Sequence, residues 1–252
     1  MTLSAILFDV DGTLADTERD GHRLAFNQAF KEFQLDWEWT VALYGELLQI
    51  TGGKERIRHY LGTHAPHLLA RHDLDEWIAA IHQVKTKYFV ALLEAGKIPL
   101  RPGVERLIQQ LRSENIKIAI ATTTTLENVT TLLKCTLGED AVGWFDVIGA
   151  GDIVPQKKPA PDIYHWVLNQ LDLPAEACLA IEDSENGLCA ALAAGLKTII
   201  TVSEYTRSQD FNGAIMTLAN LDTTTDLRHA KPEHLSETGV DVKLLRNLVA
   251  AS

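Results

Sequence analysis

The feature that most constrains this 252-residue chain is an apolar run near its start that ends abruptly in acidic residues. Residues 6–8 are Ile, Leu and Phe, and Asp9, Val10, Asp11 and a glycine follow at once. An apolar run before a polar turn is typical of a buried strand. Asp9 and Asp11 alternate along an extended backbone, so we expect their side chains to lie on the same side of it. The stretch predicts a strand with two carboxylates at its carboxyl end, and a plain turn closed by glycine is the alternative.

Beyond residue 103 the pattern alternates between helices and short apolar strands. Strands that alternate with helices predict a parallel sheet with right-handed crossovers. We therefore expect an α/β fold, a Rossmann-like parallel sheet. The predicted strands are 117–121, 145–148, 178–181 and 197–202, the predicted helices are 104–113, 126–137, 161–171 and 186–194, and residues 214–218 and 240–250 can add a strand and a closing helix.

Residues 16–98 have a different character, because apolar residues there recur at helical spacing and almost nothing is typical of a strand. A polar link precedes this block, and a stretch with two prolines and two glycines follows it at 95–103. The sequence thus predicts an α-helical cap domain over 16–98. It is inserted into an α/β core domain made of residues 1–15 and 99–252.

Polar side chains follow three of the predicted strands. Thr122 follows the second strand, and Glu182 with Asp183 follows the fourth. Lys158 lies in the loop before the helix of residues 161–171. Because parallel strands end at one edge of a sheet, we expect these side chains to meet Asp9 and Asp11 there. Clustered carboxylates repel one another, and Mg²⁺, which prefers oxygen ligands, would relieve that repulsion.

Charge and hydropathy exclude several classes of partner. The formal net charge of −11 argues against binding to nucleic acid or to anionic membranes. No apolar run reaches the roughly 18 residues of a membrane span, and the first residues lack a signal-peptide pattern. Three widely spaced cysteines suit a reducing compartment, and we expect Cys178 and Cys189 to pack in the core. The expectation is a cytoplasmic protein, or a stromal one if the source is a plant, and a monomer.

The ordered motifs resemble those of the haloacid dehalogenase-like (HAD) phosphatase superfamily. Residues 9–14, Asp-Val-Asp-Gly-Thr-Leu, are similar to its first motif, and the later polar residues are similar to the other three. The resemblance implies that Asp9 is the nucleophile and Asp11 the general acid/base, with Thr122 and Lys158 contacting the phosphoryl group. It also implies a Mg²⁺ site. Its ligands are Asp9, Asp11 through its backbone carbonyl, and Asp183, with Glu182 in support.

The helical block carries a second set of candidates. Two glycines, Gly52 and Gly53, precede a predicted helix and expose backbone N–H groups, while Lys54 and Arg56 add positive charge. This loop suits a second phosphate or the polar part of a substrate, and a loop with solvated charges is the alternative. Glu18 and His22 follow the first linker and can face the cleft, although a helical histidine can equally be a surface or packing residue.

Within the superfamily the whole chain resembles the CbbY-type group, which is related to β-phosphoglucomutase. The resemblance rests on Glu18 and His22, the loop at 51–56, the threonines at 122–124 and the acidic stretch at 182–187. It implies a sugar-bisphosphate phosphatase that acts on xylulose 1,5-bisphosphate, with Thr123 among the substrate contacts. His22 stands one residue later than in β-phosphoglucomutase-like members, which makes the cap contacts the weakest part of the match.

Several other functions stay open at this stage. A phosphomutase would use the same site but return the phosphoryl group to a sugar, and another sugar-phosphate or phosphoglycolate phosphatase would differ only in substrate. A non-enzymatic binding protein on the same fold is a third alternative. The intact set of Asp9, Asp11, Thr122, Lys158 and Asp183 argues against it. A dehalogenase is disfavoured because Asp11 and the glycine after it suit phosphate chemistry.

Overall fold

The computed structural model describes residues 2–223, 225–227 and 239–250, and a parallel six-stranded sheet lies at its centre. The spatial order is β3-β2-β1-β4-β5-β6, and every neighbouring pair is parallel. All residues of β1 are fully buried, as expected for a strand covered on both faces. The strands are β1 (Ala5–Phe8), β2 (Lys117–Ala121), β3 (Val147–Gly149), β4 (Cys178–Glu182), β5 (Lys197–Thr201) and β6 (Met216–Leu218).

Helices cover both faces of the sheet. Apolar side chains of α5 (Val104–Ser113), α6 (Leu126–Leu137) and α9 (Val242–Ala250) pack in the same cluster as Ile6 and Phe8 of β1. The other face carries Ala5 and Leu7, against α7 (Asp162–Leu171) and α8 (Glu185–Ala193). The predicted α/β fold with a Rossmann-like parallel sheet is confirmed.

Residues 16–98, which we call the helical insert, form helices outside the sheet. A π-helical turn, Glu18–His22, runs into α1 (Arg23–Glu32), and α2 (Val41–Leu47), α3 (Gly53–His64) and α4 (Leu74–Glu94) follow. The helices enclose an apolar cluster of their own, built largely from aromatic side chains. Phe26, Phe30, Trp39, Tyr44 and Tyr60 are its largest members. The domain boundaries at 15 and 99 stay a prediction.

The two segments by which the chain enters and leaves the insert are adjacent. Ala15 and Leu100 form an antiparallel bridge, and the backbone N–H of Arg101 donates to the carbonyl of Leu14 at 2.8 Å. The two linkers therefore lie side by side, next to the end of β1.

Two local expectations need correction. The third strand is Val147–Gly149 rather than 145–148, because Phe145 still caps the preceding short helix. Cys189 is exposed, since Leu188, Ala190 and Ala191 take the inward face of α8; Cys178 is buried as expected. Among the described residues, no helix is long and apolar enough to cross a membrane.

Candidate active site

The sheet brings three strand ends together. Phe8 of β1 lies in register with Ile120 of β2 on one side and with Ile181 of β4 on the other. Polar residues follow within two positions of each, and they meet at the carboxyl edge of the sheet, where open α/β sheets bind ligands. Asp9, Thr122, Glu182 and Asp183 are all buried there.

Lys158 crosses the end of the sheet from the loop before α7. Its ammonium donates to Asp9 Oδ1 at 2.7 Å, to Glu182 Oε1 at 2.5 Å and to the carbonyl of Ala121 at 2.8 Å. Three acceptors use all three N–H donors of a lysine. Burial alone would lower the pKa of Lys158, but the charges of Asp9 and Glu182 outweigh it and raise that pKa above its ordinary value. Lys158 is therefore a fixed cation between two carboxylates, not a solvent-facing lysine.

Asp9, Glu182 and Asp183, which we call the acidic cluster, each place an oxygen within 4.8 Å of the others. Burial, outweighing the opposing charge of Lys158, raises the pKa of Asp9 from 3.8 to about 7. Burial and the charges of Asp9 and Glu182 raise the pKa of Asp183 well above its usual value. One lysine does not balance three buried carboxylates. A set of oxygen donors with excess negative charge fits a hard divalent cation.

Two residues around Glu182 leave its carboxylate little freedom. The hydroxyl of Tyr164, on α7, donates to Glu182 Oε1 at 2.5 Å. Gly187, on α8, faces the same carboxylate so closely that a Cβ there would collide with it. Tyr164 is not among the site residues predicted from the sequence. Its position three residues after Pro161, on the buried side of a predicted helix, was the available signal.

Asp11 lies beside the acidic cluster but is bound by a different set of side chains. Its Oδ1 accepts from Thr17 Oγ1 at 2.6 Å and contacts His22 Nε2 at 2.9 Å. Lys85 Nζ lies 2.8 Å from His22 Nδ1; an ammonium can only donate there, so Nε2–H is the donor to Asp11. Burial would raise the pKa of Asp11, but His22 and Thr17 lower it below the ordinary range.

Two further residues of the site, Thr17 and Lys85, are not among the site residues predicted from the sequence. Thr17 is the residue before the first helical turn, yet its hydroxyl bonds Asp11 instead of capping the helix. Lys85 is buried on α4 between the apolar positions Ile81 and Phe89. A lysine on the core face of a helix was the available signal. Burial lowers the pKa of Lys85 to about 8.

The helical insert supplies the opposite wall of the cleft. Arg56 is buried, and its guanidinium donates to Tyr44 Oη at 2.9 Å and to the carbonyl of Leu47 at 3.2 Å. Tyr44 in turn donates to Glu18 at 2.5 Å. The cavity between the walls measures about 90 Å³. Its lining includes Asp9, Asp11, Thr122, Thr123, Lys158 and Asp183 from the sheet side, and Glu18, Gly52 and Arg56 from the insert.

Three of the predicted substrate residues lie off this cavity. His22 and Gly53 line a smaller space of about 40 Å³ behind Asp11. Lys54 points the other way, to an ion pair with Asp152 on the sheet side of the molecule. That pairing occupies its ammonium. The role of all three as substrate ligands stays a prediction.

Ion pairs connect the insert to the rest of the protein around the cleft. Besides Lys54 and Asp152, Lys157 contacts Glu55 and Asp152, both at 2.9 Å. On the far side, Arg19 contacts Glu204 at 2.7 Å. We call these contacts the rim pairs. They hold the insert against the sheet edge in the arrangement described here.

A family model described as haloacid dehalogenase-like hydrolase matches residues 3–195. The chain belongs to this family. The prediction of a HAD-type hydrolytic enzyme is thereby confirmed.

The chain is also similar to individual members of the family. It is 50% identical to Protein CbbY of Cereibacter sphaeroides over 216 residues, which is 84% of this chain and 90% of that protein. A solved structure of a CbbY variant from Rhodobacter sphaeroides, in complex with xylulose 1,5-bisphosphate, is 46% identical, with a TM-score of 0.79 over 86% of this chain and 94% of that one. A β-phosphoglucomutase from Clostridium difficile, 21% identical, shares the fold with a TM-score of 0.69 over 86% of this chain and 90% of that one.

Proposed function

We propose that this protein is a Mg²⁺-dependent phosphatase that hydrolyses a sugar bisphosphate, xylulose 1,5-bisphosphate in particular, through an aspartyl-phosphate on Asp9. The observation that carries the proposal is the buried acidic cluster with Lys158 bound to it at the end of β1, facing a cleft that also contains Asp11. Phosphoryl transfer depends on positioning and charge neutralisation, and this arrangement supplies both.

Lys158 and the strand ends position the nucleophile. Lys158 fixes one oxygen of Asp9, which leaves its other oxygen to attack phosphorus. The new bond joins Asp9 to phosphorus while the ester P–O bond breaks, and the leaving oxygen keeps the electron pair. Thr122 lines the cleft beside Asp9 and is placed to donate to a phosphoryl oxygen.

Asp11 handles the proton at both stages. It gives a proton to the leaving oxygen, then takes one from the water that attacks the aspartyl-phosphate and regenerates Asp9. His22 and Thr17 favour its ionised form, which the second stage needs. The negative charge of a bound substrate opposes that ionisation and favours the protonated form that the first stage needs.

The acidic cluster would hold the metal ion. Asp9 and Asp183 are the proposed ligands, with Glu182, whose Oε1 oxygen accepts from Lys158 and Tyr164, in support. A bound Mg²⁺ would offset the negative charge of the phosphoryl group beside these carboxylates. The backbone carbonyl of Asp11 is a further proposed ligand.

The insert supplies a cation for a second phosphate. Arg56 is a buried cation on the insert wall of the cleft, and its neighbours Tyr44 and Leu47 fix its orientation. A guanidinium can bind a phosphate through two parallel hydrogen bonds. A substrate with phosphates at both ends would therefore place one phosphate at Thr122, near the positive charge of Lys158, and the other at Arg56. The complex of the Rhodobacter sphaeroides CbbY variant with xylulose 1,5-bisphosphate supports this choice of substrate.

The test is phosphate release from a panel of sugar mono- and bisphosphates, including xylulose and ribulose 1,5-bisphosphate, with Mg²⁺ present. We expect xylulose 1,5-bisphosphate to be hydrolysed most efficiently, and Asp9→Asn to lower the rate at least about 10³-fold because the nucleophile is lost. Full activity in Asp9→Asn would exclude the aspartyl-phosphate. A flat substrate profile would refute the bisphosphate assignment, and an isomeric sugar phosphate in place of free phosphate would indicate a phosphomutase.

A further inference from the structure

Arg101 is a buried arginine in the second linker, and the chemistry described so far does not use it. Its guanidinium donates to four backbone carbonyls from separate parts of the chain. One belongs to Gly12, two to the end of β5 at Thr201 (2.9 Å) and Val202 (2.7 Å), and one to Ala219 after β6 (2.8 Å). A planar guanidinium with five N–H groups suits several fixed acceptors, whereas an ammonium has three donors at a single atom.

The carbonyl of Gly12 is the acceptor that matters for the site. Gly12 has a φ of +85° and directly follows Asp11 in the tight turn after β1. The same residue lies against Asp183, since a Cβ on Gly12 would collide with the Asp183 carboxylate. A shift of this turn would therefore move Asp11 and would also change the space available to Asp183.

Arg101 also touches both linkers. It belongs to the second linker, where its N–H bonds Leu14, and its Nε lies 3.4 Å from Asp16 on the first. Asp11 itself is bound by Thr17 and His22, which lie beyond the first linker in the helical insert. The side chain of Asp11 is thus held from the insert, while its backbone turn is held from the sheet through Arg101.

We propose that Arg101 is a positioning residue for Asp11: its contact with the carbonyl of Gly12 keeps the turn after β1 fixed to the ends of β5 and β6. The inference rests on the proposed function only for the role of Asp11 in proton transfer. Without this contact, the turn moves with the helical insert. The rate of proton transfer by Asp11 then falls more than the rate of attack by Asp9. A merely structural arginine would affect both steps alike.

Arg101→Lys tests this, because it keeps a positive charge but cannot reach four carbonyls. With a sugar phosphate, whose leaving oxygen needs a proton, we expect kcat to fall at least about tenfold with KM changed less than about threefold. p-Nitrophenyl phosphate has a leaving group that is stable as an anion. Its pre-steady-state burst of nitrophenolate, which reports attack by Asp9, should stay within about threefold of the wild type. External guanidinium should restore part of the loss in Arg101→Ala.

Arg106→Lys is the matched control. Arg106 also donates to backbone carbonyls, those of Leu221 and Val240 at 3.0 Å, but it has no contact with the turn after β1 in the described structure. We expect it to change neither the kcat for the sugar phosphate nor the burst. Equal losses of both rates in Arg101→Lys, or no loss in either, would overturn the proposal.

An activity-independent measurement separates this inference from the proposed function. The N–H groups of Gly12, Thr13 and Leu14 are hydrogen-bonded within the turn. Hydrogen exchange of a peptide that covers residues 9–15 should speed up in Arg101→Lys and not in Arg106→Lys. If the wild type released no phosphate from any ester while this difference appeared, the phosphatase proposal would fail and the positioning of the turn would stand. Unchanged exchange in both variants would refute the positioning.

Discussion

The two walls of the cleft are built in different ways. On the sheet side, three site residues directly follow strands: Asp9 after β1, Thr122 after β2 and Asp183 after β4. The hydrogen-bonded register of the strands therefore sets their spacing. On the insert side, Glu18 and Arg56 come from separate helical elements. Tyr44 connects them, because its hydroxyl donates to Glu18 and accepts from Arg56. Under the proposed function, we therefore expect the sheet to position the nucleophile and the metal ligands, and packing within the insert to decide which substrate binds.

The largest expected effect is on the sheet wall, at Lys158. Lys158→Met removes the cation shared by Asp9 and Glu182 and leaves two buried carboxylates without it. We expect phosphate release to fall at least about 10³-fold and stability to fall by about 3–5 kcal/mol, as when one member of a buried ion pair is removed. Steady-state kinetics and denaturant unfolding measure the two.

Lys157→Met is the control for this variant, because the neighbouring lysine pairs with Glu55 and Asp152 at the rim and is not in the acidic cluster. It should keep kcat within a few-fold of the wild type, about the effect of a partly exposed ion pair. Similar losses in both variants would remove the distinction between the sheet wall and its surroundings.

The insert wall should respond differently, through substrate selection. Arg56→Met removes a buried charged hydrogen-bond donor worth about 1.5–3 kcal/mol, so we expect KM for a bisphosphate to rise about 10–100-fold. The kcat for a sugar monophosphate should change little, since Arg56 has no contact with Asp9 or Lys158 in the described structure. Arg58→Met, on the same helix but exposed, is the control. A fall in kcat for both substrates would place Arg56 with the sheet wall.

The acidic cluster should also make stability depend on pH and on metal. The pKa of Asp9 is raised from 3.8 to about 7, so the folded protein binds this proton more tightly than the unfolded chain does. Its stabilising contribution is complete below about pH 4 and is lost as pH rises through about 7. Metal-free protein should therefore have a lower Tm at about pH 8 than at about pH 5, although burial of His82, which lowers its pKa from 6.5 to about 3, offsets part of the difference. Mg²⁺ should raise Tm more at the higher pH.

Asp183→Asn sharpens this prediction, because it removes a like charge beside Asp9. The variant should raise Tm of the metal-free protein at about pH 8 and reduce the shift caused by Mg²⁺. Glu139→Gln, at an exposed surface pair, serves as the control. If Mg²⁺ shifted Tm of Asp183→Asn as much as that of the wild type, the metal would lie elsewhere.

The smallest effect is expected where the two walls meet, at the rim pairs. Asp152→Asn weakens the contacts with Lys54 and Lys157, which are partly exposed and worth about 0–1 kcal/mol each. We expect KM to rise by no more than about threefold at low salt, and the difference from the wild type to shrink as salt screens the pair. Asp75→Asn, which breaks a pair inside the insert, should leave KM unchanged. A salt-independent change of kcat in Asp152→Asn would contradict this account.

The contrast between the walls also explains what the sequence could predict. Parallel pairing turns strand ends into neighbours, so Asp9, Thr122 and Asp183 could be placed together from an alternating pattern alone. Lys85 and Tyr44 could not, because their contacts depend on how helices separated by many residues pack. Lys54 shows the same limit. Its charge predicts a contact with the substrate, but the orientation of α3 places its ammonium against Asp152. Helical periodicity predicts on which face of a helix a residue lies, but it does not predict which residue that side chain contacts across the insert.

Gly187 has a consequence for how this chain can vary. The space that a Cβ would need at this position is already filled by the carboxylate of Glu182. Alanine is a mild replacement for glycine elsewhere in a helix. Here even its Cβ would displace an oxygen that binds Lys158. In a library of single substitutions, position 187 should therefore behave like an active-site position although its residue has no functional group. Its depletion would parallel that of Glu182, and only a simultaneous shortening of residue 182 would make room for a side chain.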